Sequence, residues 1–173
     1  MKLFTRAMVL AVFAASIAAA PTDQFASQTQ RSLALRQKYD VPVPRSDWTI
    51  YVYSFAAHHL SFEYSTIAWR DEAGQWHISD MGEQGPGLLV IPSESIAETR
   101  KTVPPLDSAE LDRLLSGKSL YVEKTHSKDK HLGIGASEHT MEIVTPRGRK
   151  VVTWMGRLVG RAGRIADIVL GRG

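Results

Sequence analysis

The 173-residue sequence contains no cysteine. This absence excludes disulfides, thiol nucleophiles, cysteine-ligated zinc and lipid attachment through a cysteine. Stability must therefore come from packing and hydrogen bonding. The chain beyond its N-terminal segment has about 150 residues, which is enough for one domain with a substantial core.

The sequence also lacks an apolar run of the length that a transmembrane helix needs, about 20 residues. The longest small and apolar run, Ala7 to Ala20, has 14 residues and follows Lys2 and Arg6. Positive charges followed by a run of this length are typical of an export signal. We therefore predict a signal peptide over 1–20 and a mature protein in the periplasm or outside the cell.

The predicted cut lies after Ala18 or Ala19. Small residues before the bond suit the export protease. Pro21 disfavours a cut directly before it, because it lacks an N–H and restricts the preceding residue. An uncleaved anchor is the alternative, and after cleavage we expect no transmembrane segment.

Net charge is low, at +3 for the whole sequence. Removal of Lys2 and Arg6 with the signal leaves +1. The basic residues are concentrated near the C-terminus, with seven of them and one acid from position 146 onward. A positive surface is therefore expected only in that part of the chain.

Alternating β-branched and aromatic residues predict several strands, and apolar residues at helical spacing predict several helices. The predicted strands cover 48–55, 62–69, 76–81, 88–91, 119–123, 139–145 and 150–155. The predicted helices cover 27–38, 93–100, 107–116 and 157–170, with Asp107 or Ser108 as the cap of the third.

These elements predict an α+β fold. We expect an antiparallel, twisted sheet of about six or seven strands, with helix 107–116 and the C-terminal helix packed on one face. Pro42 and Pro44 fix an extended stretch. The predicted organisation is therefore an N-terminal tail with a short helix over 21–45, followed by a single domain over 46–173.

Three histidines suggest a metal site. His126, His131 and His139 lie on or beside the polar segment 124–138. Neutral imidazoles are ligands for zinc and other divalent ions, so a divalent metal is the one cofactor that the sequence suggests. The alternative is a set of solvated histidines, because their spacings match no helical or hairpin ligand pattern.

Three arginines suggest an anionic partner. Arg157, Arg161 and Arg164 recur at helical spacing beside an apolar face. Such a row suits an anionic membrane surface or an acidic protein. The alternative is a helix that docks its apolar face and leaves the arginines in solvent. Nucleic acid is not expected, because no aromatic stacking platform accompanies the row.

Aromatic residues are concentrated between Trp48 and Trp76. Core packing is the simpler interpretation, and a carbohydrate or peptide groove would use the same residues. Trp69 and Trp76 flank one turn, so we expect them to pair across it.

No motif assigns a reaction. The sequence has no G-x-S-x-G and no glycine pattern of a phosphate-binding loop. The favoured hypothesis is therefore a non-catalytic ligand- or partner-binding module of the cell envelope. A metal-dependent enzyme or metal carrier and a structural envelope component are the alternatives.

Overall fold

The computed structural model describes residues 24–57, 59–86, 91–123, 126–128 and 137–172. The predicted export signal and most of the predicted strand over 88–91 lie outside them. Within the described ranges no helix combines the length and apolarity needed to cross a bilayer. The helices are α1 (Gln24–Lys38), α2 (Pro105–Ser116), α3 (Lys118–Val122) and α4 (Gly160–Leu170). The strands are β1 (Thr49–Ala57), β2 (Leu60–Arg70), β3 (Trp76–Pro86), β4 (Glu94–Thr102), β5 (His126–Lys128), β6 (Glu138–Thr145) and β7 (Gly148–Met155).

The described strands form one sheet in the order β4-β3-β2-β1-β6-β7-β5. Six of them pair antiparallel, and the three-residue β5 adds a parallel edge beside β7. The predicted turn between β2 and β3 contains Gly74 at φ +84°, a conformation that favours glycine. This architecture confirms the predicted α+β fold.

One face of the sheet carries the apolar core. Alternate residues of the strands point to this face and are covered by α2 and α4, as predicted. The strands contribute Ile50, Val52, Trp76, Ile78, Met141, Ile143, Val152 and Trp154. The helices contribute Leu111, Leu114, Leu115, Ala162, Ile165 and Val169.

The other face of the sheet is covered by α1. This helix contacts β1, β2, β3 and β6. Among residues 28–38, the part of α1 whose burial is described, the buried residues are Ser32, Leu35 and Arg36, of which only Leu35 is apolar. This part of α1 is thus attached mainly through polar contacts, whereas α2 and α4 are attached through apolar packing.

Two short segments differ from the prediction. Residues 94–102 form strand β4 rather than a helix, because they pair antiparallel with β3 at the sheet edge. Residues 118–122 form helix α3 rather than a strand, and its Leu120 is fully buried in the core. Helix α2 also begins earlier than predicted, at Pro105, because proline is well suited to the first helical position.

Gly163 of α4 allows a close approach between backbone segments, although glycine disfavours helices. Glycine inside a helix costs about 1 kcal/mol relative to alanine. A Cβ at Gly163 would lie only 2.4 Å from the carbonyl oxygen of Leu158. Since that oxygen belongs to the backbone, the chain entering α4 passes this close only because position 163 is glycine.

Candidate functional site

His139 is a buried strand residue, with 5% of its surface exposed. Its Nδ1 lies 2.6 Å from the Ser54 hydroxyl, and its ring stacks on Trp154 at 4.9 Å between centroids. Burial, followed by repulsion from the nearby Arg172 guanidinium, lowers the pKa of His139 to about 4. The imidazole is therefore neutral at neutral pH and held by two neighbours.

The other two predicted metal ligands are less fully described. His126 lies in β5, where it pairs with Thr153 of β7, two strands away from β6. His131 lies outside the described residues. Among the residues that the structure describes, no group of three or more histidines or acids is arranged to hold a metal ion. The three-histidine metal site stays a prediction.

Ser54 and His139 form a pair of catalytic residue types. A catalytic serine and histidine need a third group that orients the imidazole, most often a carboxylate. The charged group that acts on His139 in the described structure is Arg172, which is a cation. Both residues are also more than nine-tenths buried. Their contacts are those of a structural hydrogen bond in the core.

The three arginines of the predicted row lie in different surroundings. Arg157 is exposed and precedes α4, whereas Arg161 and Arg164 lie within it. Arg164 donates to Glu110 of α2 at 2.8 Å and lies 3.6 Å from Asp107. The contact with Glu110 raises the pKa of Arg164. Arg164 thus contributes to helix pairing, and its charge is largely balanced within the chain.

The four tryptophans fall into two classes. Trp76 and Trp154 are buried in the core, with at most 1% exposed. Trp48 and Trp69 are half-buried and line the same open groove of about 470 Å³. We call this cavity the Trp48–Trp69 groove. Its remaining lining residues are Arg45, Ser46, Asp47, Arg70, Asp71 and Glu72.

Trp48 and Trp69 lie at the same end of the sheet, but Trp48 packs against the apolar core and Trp69 points to the other face. Thr49 pairs with Trp69 in the antiparallel register, and the Arg70 N–H donates to the Trp48 carbonyl at 3.0 Å. The Ser46 hydroxyl bonds to the carbonyls of both Trp48 and Arg70. The groove therefore has hydrogen-bonded backbone on both walls.

Neighbouring side chains hold both indole rings. The Arg70 guanidinium carbon lies 5.8 Å from the centroid of the Trp48 ring, and Arg70 also pairs with Asp112 at 3.3 Å. His77 stacks on Trp69 at 5.4 Å. These contacts restrict the rotamers of both rings.

Asp71 completes this support. Its carboxylate lies 2.8 Å from His77 Nε2 and accepts a hydrogen bond from the Gln75 N–H. The hydrogen bond with His77, followed by that from Gln75, lowers the pKa of Asp71. Asp71 is therefore ionised at neutral pH and fixed in position.

The predicted pairing of Trp69 with Trp76 is wrong. Trp69 is opposite His77 in the register, and Trp76 is opposite Arg70. Because successive strand residues alternate between faces, Trp69 and Trp76 point to opposite sides of the sheet. The sequence signal for the groove is instead the tryptophan directly before β1 and the one next to the last residue of β2.

Comparison with protein-family models, curated proteins and solved structures finds no match to this chain.

Proposed function

We propose that this protein is an exported, non-catalytic binding module of the cell envelope that holds a saccharide in the Trp48–Trp69 groove. Export is inferred from the predicted signal over 1–20. Binding is inferred from the groove, because two half-buried tryptophans line one cavity while the other two are buried.

The size and lining of the groove support a small ligand. Its volume of about 470 Å³ falls within the usual range for ligand pockets, roughly 300–1,000 Å³. Such pockets combine aromatic surface with a few fixed polar groups that orient the ligand. The Trp48–Trp69 groove has both, since its two indoles are accompanied by two arginines and three acids.

This combination suits a sugar. A pyranose ring presents an apolar face of C–H groups, which packs on an indole ring. Its hydroxyls both donate and accept hydrogen bonds, so guanidinium and carboxylate groups both serve as partners. Arg45 supplies donors and Asp47 supplies acceptors at the exposed rim. A ligand of one charge sign would meet repulsion from one of the two.

The lowered pKa of Asp71 is opposite to that of a glycosidase general acid. Glycosidases use a pair of carboxyl groups, one of which has a raised pKa and stays protonated as the general acid. The pKa of Asp71 is lowered, because its contact with His77 and the Gln75 N–H favour the ionised form. Asp71 therefore serves as a positioning group for His77 and Trp69.

A tetramer of N-acetylglucosamine, which represents a cell-wall glycan, is the probe for this proposal. We expect it to change the tryptophan fluorescence of the purified mature protein in a saturable way. Trp69→Ala is expected to weaken its binding at least tenfold, because a central aromatic residue commonly accounts for that much of the binding energy. Isothermal titration calorimetry measures both affinities.

Tyr39→Ala is the matched control. Tyr39 is another half-buried aromatic residue, but it lies at the end of α1 and outside the groove lining. Its replacement should leave the affinity for the tetramer unchanged. Equal affinities of the wild type and Trp69→Ala would refute the groove as the site. Absence of tetramer binding by the wild type would refute the glycan proposal.

A further inference from the structure

Arg36 of α1 is completely buried and makes four hydrogen bonds. Its Nε donates to the Ser65 hydroxyl at 2.7 Å, and its Nη1 donates to the Ser79 hydroxyl at 2.8 Å. Its Nη2 donates to the backbone carbonyls of the same two serines at 2.7 and 2.8 Å. A planar guanidinium fork is thus matched by four acceptors.

All four acceptors belong to the sheet. Ser65 lies in β2 and Ser79 lies in β3. Helix α1 also contributes the Ser32 hydroxyl, which lies 2.7 Å from that of Ser65. The strands therefore supply the hydrogen-bond acceptors, and the helix supplies the cation.

The sheet also supplies the balancing negative charge. Glu98 of β4 lies 3.9 Å from Arg36 Nη1. The Ser79 hydroxyl accepts from Arg36 and donates to Glu98 at 2.5 Å, so it connects the cation to the anion. Burial lowers the pKa of Arg36, whereas Glu98 opposes that shift. A buried cation is stable only with such pairing and complete hydrogen bonding.

We propose that β2, β3 and β4 form a guanidinium receptor, which Arg36 of the same chain occupies. When the side chain at position 36 is shortened by substitution, this receptor binds a free alkylguanidinium or another arginine side chain. We expect a lysine side chain to bind this receptor poorly, because its ammonium group is a point charge and lacks the planar arrangement of N–H donors. This receptor is independent of the proposed saccharide groove, since the two share no lining residue.

Chemical rescue tests the receptor. The Arg36→Ala variant of the mature protein removes the side-chain atoms beyond Cβ, and ethylguanidinium replaces those atoms. We expect millimolar ethylguanidinium to raise the melting temperature of the variant in a saturable way. At ten times its Kd, ethylguanidinium should raise the folding equilibrium constant about elevenfold. The wild type, whose receptor is occupied, should show no such rise.

Two small molecules and one variant serve as controls. Ethylammonium has the charge without the fork, and ethylurea has the planar shape without the charge. Neither should stabilise Arg36→Ala. The double variant Arg36→Ala/Ser79→Ala should lose most of the rescue, because it lacks the link to Glu98. Equal stabilisation by all three molecules, or no stabilisation by ethylguanidinium, would overturn the receptor.

If Arg36→Ala is unfolded in buffer, circular dichroism still decides the question. The receptor predicts that ethylguanidinium restores the far-ultraviolet spectrum of the folded protein, whereas ethylurea does not. A spectrum that stays unfolded with saturating ethylguanidinium contradicts the proposal.

Discussion

Arg36→Met is expected to lower the free energy of unfolding by about 3–5 kcal/mol, as for other buried charges that lose their partner. The substitution leaves two serine hydroxyls and two carbonyls in the buried interface without the donors that Arg36 provides. It also removes the 3.9 Å contact of Glu98 with Arg36, while Glu98 keeps its 2.7 Å pair with Arg100. Urea unfolding followed by circular dichroism measures the loss.

Arg31→Met is the matched control for this effect. Arg31 lies on the same helix, but its side chain is exposed. Surface substitutions of this kind usually change stability by no more than about 0.5 kcal/mol. Arg36→Lys keeps the charge but cannot make the four contacts, so its loss should be intermediate. Equal losses for Arg36→Met and Arg31→Met would show that the buried fork contributes nothing to stability.

Lowering the pH from 7 to 4 is expected to reduce the free energy of unfolding by roughly 3 kcal/mol through His139 alone. The folded-state pKa of His139 is about 4, because the imidazole is buried and faces Arg172. In the unfolded chain the histidine pKa is about 6.5. Below that pH the unfolded state binds a proton that the folded state does not. Stability is therefore lost as the pH falls through this window.

The variant His139→Gln isolates this contribution. Several carboxylates with lowered pKa values also lose stabilising contacts in acid, and they are present in both proteins. The difference between the wild type and His139→Gln is therefore the informative quantity. Urea unfolding at a series of pH values should give a steeper pH dependence for the wild type. Parallel curves would contradict a buried, neutral His139.

The regular parts of the fold could be predicted from local patterns. Alternation marked β1, β2 and β3, and helical periodicity marked α2 and α4. Strand β4 was predicted as a helix because its glutamates and alanine favour helices. Its pairing with β3 overrides that local preference. Pairing of this kind depends on residues far apart in the sequence, so no local pattern reveals it.

The polar attachment of α1 had no sequence signal. Arg36 and Ser32 are ordinary residues of a short helix, and Ser65 and Ser79 are single hydroxyls within strands. Their hydrogen bonds connect residues up to 43 positions apart. The burial of Arg36 becomes visible only once the second face of the sheet is known.

Part of the candidate site could be predicted from the sequence. Trp48 and Trp69 were recognised as members of an aromatic cluster, with core packing as the simpler interpretation. The register that pairs Thr49 with Trp69 places both tryptophans at one end of the sheet, where they line the groove from opposite faces. The turn between β2 and β3 brings Asp71 next to His77 of β3. His139 was predicted as the first residue of a strand beside a polar segment, and a solvated position was the alternative to metal binding. Strand β6 begins one residue earlier, at Glu138, and its His139 is buried.

The most direct test of the groove follows the indole N–H signals of the four tryptophans by two-dimensional NMR during titration with the N-acetylglucosamine tetramer. We predict shifts for Trp48 and Trp69. Trp76 is buried with its indole bonded to Asp112, and Trp154 is buried beneath His139, so their signals should stay in place. Stationary Trp48 and Trp69 signals, or shifts confined to Trp76 and Trp154, would contradict binding in the Trp48–Trp69 groove.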